Sequence, residues 1–309
     1  MRIVFMGTPD FSVGCLEALL NSEHEVVGVF CQPDKPVGRS QTLTAPPVKE
    51  LAVKAGLEVF QPVSLKDGKG LEIISQLEPD VIIVVAYGKI LPKDVLDYPK
   101  YGCINIHASI LPMYRGASPI QWSVINGDKV TGVTAQQMDE GVDTGDILMC
   151  EKTEIGINET AGELFDRLAV LGAEVLMKTM EKLVNGELNP VKQEHEKATH
   201  VGLLSKKDSP IDWSLSAFEV HNKIRGLNPW PSASTTLGGK ALKVHESRLT
   251  GEKRSGESGS IIAKNGKMLV CCGDGEVLEI TSIQPEGKKR MPVASFLNGR
   301  SIAEGEKFI

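Results

Sequence analysis

The run Val81-Ile-Ile-Val-Val-Ala86 constrains this chain more than any other stretch. It is too short to cross a bilayer and has no polar residue alternating through it. The reading is a strand buried on both faces, which belongs at the middle of a parallel sheet with helices above and below. Tyr87-Gly88 then ends the strand. Tyr87, Ile90 and Leu91 should therefore emerge at the carboxyl edge of the sheet, where open α/β sheets bind their ligands.

Neighbouring segments supply the rest of such a sheet. Arg2–Gly7 reads as a strand, Phe11–Leu20 as a helix with apolar residues at helical spacing, and Val26–Cys31 as a second buried strand, which makes a βαβ unit. Its turn, Gly7-Thr8-Pro9-Asp10, lacks the G-x-G-x-x-G spacing that wraps a pyrophosphate, so a structural turn with some substrate contact is expected rather than a dinucleotide site. Helices are expected over Lys49–Gly56, Gly70–Leu77, Ser118–Asn126 and Thr160–Val184. Strands are expected at Glu58–Gln61, Gly102–Asn105, Val130–Gln136 and Asp146–Cys150.

With 309 residues the chain exceeds one ordinary core. The pattern changes after a polar stretch with Pro190 and Pro210. The expected organisation is a Rossmann-like α/β domain over 1–189, a linker over 190–210 and a small β-barrel of oligonucleotide-binding type over 211–309. The barrel reading rests on short β runs separated by Gly-rich turns. From Lys206 onward there are 16 basic against 12 acidic residues, leaving 18 against 28 before it. A basic tail on an acidic front suggests a polyanionic partner for the tail.

No apolar run approaches the length of a membrane span and no cleavable leader pattern precedes Arg2, so a cytoplasmic protein without membrane contact is expected. Six scattered cysteines without a Cys-x-x-Cys pair read as buried thiols. His195 and His200 lack partners at metal-ligand spacing, and no metal is expected. Gln32–Val48 is a 17-residue loop with four prolines, in which Arg39 beside Gly38 is a candidate phosphate grip.

Chemistry concentrates between Asn105 and Asp146. One apolar residue separates Asn105 from His107, so on a strand ending at His107 both side chains share a face. Asp143 follows in the turn-like run Gly141-Val-Asp-Thr-Gly-Asp146. A carboxamide can stabilise a developing oxyanion, an imidazole can move a proton near neutrality, and a carboxylate can orient the imidazole and favour its charged form. Ser109 and Ser118 are not placed as nucleophiles, which favours direct acyl transfer without an acyl-enzyme.

These residues also carry a resemblance. Asn105-x-His107-x-Ser109-Ile110-Leu111-Pro112, Tyr114-Arg115-Gly116-Ala117-x-Pro119 and Asp143-Thr144-Gly145-Asp146 resemble the folate-dependent formyltransferases. So do Gly7-Thr8-Pro9-Asp10-Phe11, the loop run QPDKPVGR, the strand-edge run VVAYGKILP and Asn228-Pro229-Trp230-Pro231, and the full set is similar to the branch that acts on charged initiator tRNA. The resemblance implies transfer of a formyl group from 10-formyltetrahydrofolate to the α-amino group of initiator methionyl-tRNA; a monomer is expected. It implies Asn105, His107 and Asp143 as the catalytic trio. Ser109, Ile110, Leu111 and Pro112, with Tyr87, Ile90 and Leu91 on the strand edge, become folate-binding residues and Arg39 a tRNA contact; Lys206, Lys288, Lys289 and Arg290 of the basic tail are expected tRNA contacts beside it.

Two places depart from the family pattern. Ile110 replaces a leucine, an exchange of equal volume. Ser40-Gln41-Thr42 stand where lysines often follow the glycine-arginine pair, which weakens phosphate attraction there. Two alternatives have distinct signatures: a formyltransferase acting on an amino sugar nucleotide would turn over that acceptor, and a non-catalytic tRNA-binding protein would leave the trio idle.

Overall fold

The computed structural model describes residues 1–37, 41–66, 68–303 and 305–309. Its contacts group the chain into two compact units. One comprises Met1–Gly116, Gly132–Thr153 and Phe165–His200; the other comprises Ala117–Thr131, Glu154–Leu164 and Val201–Ile309. The second unit thus takes in two segments that the sequence reading placed in the N-terminal domain. A division at 190–210 is one cut, whereas the contacts recross the chain.

The first unit is built on a seven-stranded sheet. Its strands are β1 (Arg2–Gly7), β2 (Glu25–Phe30), β3 (Val59–Phe60), β4 (Val81–Val85), β5 (Cys103–His107), β6 (Val130–Gln137) and β7 (Ile147–Glu154), in the spatial order β3-β2-β1-β4-β5-β6-β7. From β3 to β5 every pairing is parallel. β5 and β6 are antiparallel, so the sheet is mixed where the sequence suggested a parallel one. Nothing in Val130–Gln137 encodes strand direction; the β-branched pattern fits either. All five residues of β4 are buried, as a central strand covered on both faces requires. The helices Asp10–Leu20 and Lys69–Leu77 connect parallel strands. Gly7 makes a structural turn: a Cβ there would stand 2.7 Å from the Phe5 ring and 2.8 Å from Cβ of Ser12. The Gln32–Val48 loop contains a small ribbon, Lys35–Val37 with Thr42–Thr44, while Arg39 lies outside the described residues.

The second unit carries an antiparallel sheet of β8 (Ala233–Leu237), β9 (Lys240–Lys253), β10 (Ile261–Lys264), β11 (Lys267–Cys271) and β12 (Glu276–Pro285), ordered β8-β9-β12-β11-β10. The residues that follow complete it. Phe308 bridges to Leu237 on edge strand β8, and Lys307 bridges to Ser260 beside the other edge strand, β10. The open edges of the sheet are thereby joined through one segment, which closes it into a barrel. Trp213, Val244, Val270, Leu278, Ile280 and Phe308 belong to the buried core of this unit.

This unit also holds two buried histidines. His221 contacts the Ser247 hydroxyl through Nδ1 at 2.9 Å and the Ile157 carbonyl through Nε2 at 2.8 Å. Burial pushes the affinities of His221 and His245 for a proton below the ordinary imidazole range, with Arg225 adding to the effect at His221. Their folded forms are neutral in the window where the unfolded chain, with imidazoles near 6.5, is protonated. The unfolded state binds more protons there, so stability falls as pH drops below about 6.5. Thermal unfolding between pH 7.5 and 5.5 should show this decline, and His221→Gln should flatten it.

Among the described residues no helix is long and apolar enough to cross a membrane.

Candidate active site

Strand β5 ends at His107, next to the central β4, and the register sets what gathers there. Asn105 lies beside Val84 on one side and opposite Gln136 on the other, while His107 lies opposite Thr134. Asn105 and His107, two residues apart, project from one face. Asp143 comes to them from the loop after β6, held in the left-handed backbone region at φ 53°.

The three residues meet at the Asp143 carboxylate. Oδ1 receives the Asn105 carboxamide at 3.3 Å and lies 3.5 Å from Nδ1 of His107, a charge contact longer than a strong hydrogen bond. Oδ2 accepts the Gly116 backbone N–H at 2.8 Å. On the other side of the ring, His107 Nε2 lies 2.9 Å from the Tyr114 carbonyl. Both ring nitrogens therefore face oxygen acceptors. An imidazolium satisfies the two; a neutral ring has one N–H to offer. His107 is buried and Asp143 nearly so, at 7% and 13% side-chain exposure, which shields their interaction from solvent.

Residues to which the sequence reading gave no part in the trio complete the arrangement. Gln136, buried on β6, donates from Nε2 to Asp143 Oδ1 at 2.8 Å. Gln193 donates from Nε2 to the carbonyls of Asp143 (3.0 Å) and Gly145 (2.7 Å), fixing the loop's backbone. Buried Arg115 in turn holds Gln193, its Nη2 lying 2.7 Å from Oε1, and contacts His195 Nδ1 at 3.0 Å. Thr199 accepts the Tyr114 N–H at 2.8 Å. Gln193, His195 and Thr199 all fall in the stretch read as linker, whose polarity here serves bonding to the site loop. The available signal was the face of the strand: Gln136 sits opposite Asn105, so its carboxamide had to share that side.

The turn after His107 is clamped from within. Ser109 Oγ donates to the Met113 carbonyl at 2.7 Å, and Thr134 Oγ1 donates to the Ser109 carbonyl at 2.7 Å while accepting the Leu111 N–H at 3.2 Å. Ser109 and Leu111 are buried, whereas Ile110 and Pro112 are partly exposed. At the β4 edge, Tyr87 and Leu91 are buried and Ile90 is 65% exposed. Cys103, on β5 itself, is pushed up to about 12 by burial, so no thiolate nucleophile stands on this strand.

Of the basic residues expected to meet tRNA, Lys206, Lys288 and Lys289 are exposed on the second unit. Arg290 is ion-paired with Glu246 and bonded to Ser282 Oγ at 2.9 Å, so much of its charge is met within the barrel.

Comparison with known proteins gives this geometry a family. The model described as "Formyl transferase" matches residues 1–180, and "Formyl transferase, C-terminal domain" matches residues 203–301. Methionyl-tRNA formyltransferases from Agathobacter rectalis and Alkaliphilus oremlandii are each 49% identical, over 100% and 99% of this chain and 99% and 98% of their own lengths. The fold resembles an N-formyltransferase from Helicobacter canadensis solved with folinic acid and dTDP-3-aminofucose, at TM-score 0.73 and 21% identity, covering 92% of this chain and 99% of that one. It also resembles a methionyl-tRNA formyltransferase from Clostridium thermocellum, at TM-score 0.56 and 20% identity over 82% and 95% of the two chains. The last two likenesses speak to fold alone. Matches to both parts of the chain, and relatives half identical from end to end, make it a member of the formyl transferase family.

Proposed function

We propose that this chain transfers the formyl group of 10-formyltetrahydrofolate to the α-amino group of methionine on initiator tRNA, in the cytoplasm and as a monomer. The observation that carries the reading is the convergence of Asn105, His107 and Asp143 at one sheet edge, in a chain about half identical to methionyl-tRNA formyltransferases along its whole length. The edge suits a flat, partly apolar donor: Ile90, Ile110 and Pro112 offer accessible apolar surface, while Tyr87, Leu91 and Ser109 are buried. Bound there, the donor supplies an electrophilic formyl carbonyl.

The protein's part is to stabilise charge and move one proton. Asn105 has an N–H beyond the one given to Asp143, and His107 has the ring proton now facing Tyr114; both are donors for a developing oxyanion. Asp143, fixed by neutral donors, balances charge on His107 and accepts the amine proton through water. No covalent intermediate on the protein is required. Arg39, Lys206, Lys288, Lys289 and Arg290 would meet tRNA phosphates, with Arg290 contributing least because of Glu246.

The test is formylation with the donor and each of two acceptors, charged initiator tRNA and a dTDP-linked amino sugar. Labelled formylmethionyl-tRNA is expected. Turnover of the sugar without any tRNA product would replace this reading with the amino-sugar one.

A further inference from the structure

We propose that Gln136 is a positioning residue for the reaction, holding the Asp143 carboxylate so that it faces His107 without locking onto it; this rests on the formyl-transfer reading above. Three donors converge on Asp143 Oδ1, and they are not equal. Gln136 Nε2 stands at 2.8 Å, Asn105 Nδ2 at 3.3 Å and His107 Nδ1 at 3.5 Å. The closest is the Gln136 amide from β6. With Gly116 N–H on Oδ2, the carboxylate's lone pairs are largely used, and His107 is left within reach of its charge but outside a tight bond.

The orientation of the Gln136 amide is fixed by chemistry. Turned the other way, its oxygen would face the carboxylate and be repelled, so Nε2 must point to Asp143. Oε1 is consequently buried without a hydrogen-bond partner among the described residues. An orphaned acceptor in a buried strand lowers stability. Methionine, of similar volume and with no strong polar atom, would fill the same space without that cost. Packing therefore does not account for a glutamine here; the bond to Asp143 does. Its effect is to leave His107 Nδ1 influenced by the carboxylate yet not captured by it, so the ring can turn its Nε2 proton, now facing Tyr114, toward a reacting oxygen.

The test uses the full-length protein with two substitutions. Gln136→Met is expected to lower kcat roughly tenfold to a hundredfold, with the KM values for donor and acceptor nearly unchanged. Its His107 Nδ1 nitrogen resonance should shift toward a strong hydrogen bond, as the carboxylate closes on the ring. Gln136→Glu places a second carboxyl against Asp143, beside His107. The two repel when both are ionised and share a proton when one is not, so activity should recover as pH falls where the unaltered enzyme's does not. A Gln136→Met enzyme with unaltered kcat or an unmoved Nδ1 resonance would overturn the proposal. So would a Gln136→Glu profile parallel to that of the unaltered protein. If no tRNA is formylated, the functional reading fails separately, because the resonance comparison needs no substrate.

Discussion

Replacing His107 by alanine should cut kcat for formyl transfer by about 10²–10⁴-fold while leaving the KM values for donor and charged tRNA nearly as they are. The ring is buried at the end of β5 between the Tyr114 carbonyl and Asp143, and no other imidazole contacts that carboxylate among the described residues. Its loss removes the proton that, in the proposed mechanism, steadies the oxyanion. The surrounding frame stays tied, since Gln136, Asn105 and Gly116 still hold Asp143. Effects of groups that act together are less than additive. The double variant His107→Ala with Asp143→Asn should accordingly lose less than the product of the two single effects, yet be slower than His107→Ala alone because Asp143 also takes the amine proton. Saturation kinetics with both substrates measures this, and a His107→Ala enzyme near full speed would remove the ring from the mechanism.

Gly145→Ala should be comparably damaging, although Gly145 carries no functional group. A Cβ there would lie 1.7 Å from the Gln137 carbonyl oxygen, 2.8 Å from its carbonyl carbon and 3.4 Å from the Asp139 nitrogen. These are backbone atoms and cannot swing aside. The loop is also pinned by Gln193 on the Gly145 carbonyl and by Gln137 N–H on the Asp146 carbonyl. Relief of the clash must move the end of β6 or the turn bearing Asp143, and so disturb Gln136, Asp143 or both. Displacement of about 1 Å at a catalytic group can cost on the order of 100-fold, so a fall in kcat of that size is expected together with a lower unfolding midpoint. Gly14→Ala is the control. Its Cβ would meet only Ala169 O at 3.7 Å, within a helix, and activity should be unchanged. Equal behaviour of the two variants would refute the steric argument.

Much of the frame was readable because burial leaves periodic traces. Val81–Ala86 announced a strand covered on both faces, and the spacing of Asn105 and His107 placed them on one side of β5. Strand direction leaves no such trace, which is why β6 was not seen to run against β5. Ala233–Leu237, rich in serine and threonine, carries no clear strand pattern of its own, and its strand character comes from pairing with β9. The 190–210 stretch looked like a linker by polarity alone. Gln193 shows why composition misleads there: it is buried precisely where its amide can serve backbone carbonyls. The trio was legible as residues, but the convergence of Gln136 and Gly116 on one carboxylate depends on register and loop path.

The barrel's manner of closure has a consequence for how this chain is made. Both sheet edges are sealed by residues 306–309, through Ile261 N–H to the Glu306 carbonyl, Phe308 N–H to the Gly259 carbonyl and the paired bonds of Thr236 with Ile309. During translation β8 to β12 leave the ribosome before their seal does. For that interval the nascent unit presents two unpaired edges, the kind that recruit other strands. Its vulnerable moment is therefore set by the pace at which residues 286–309 follow β12, and slow codons there would lengthen it.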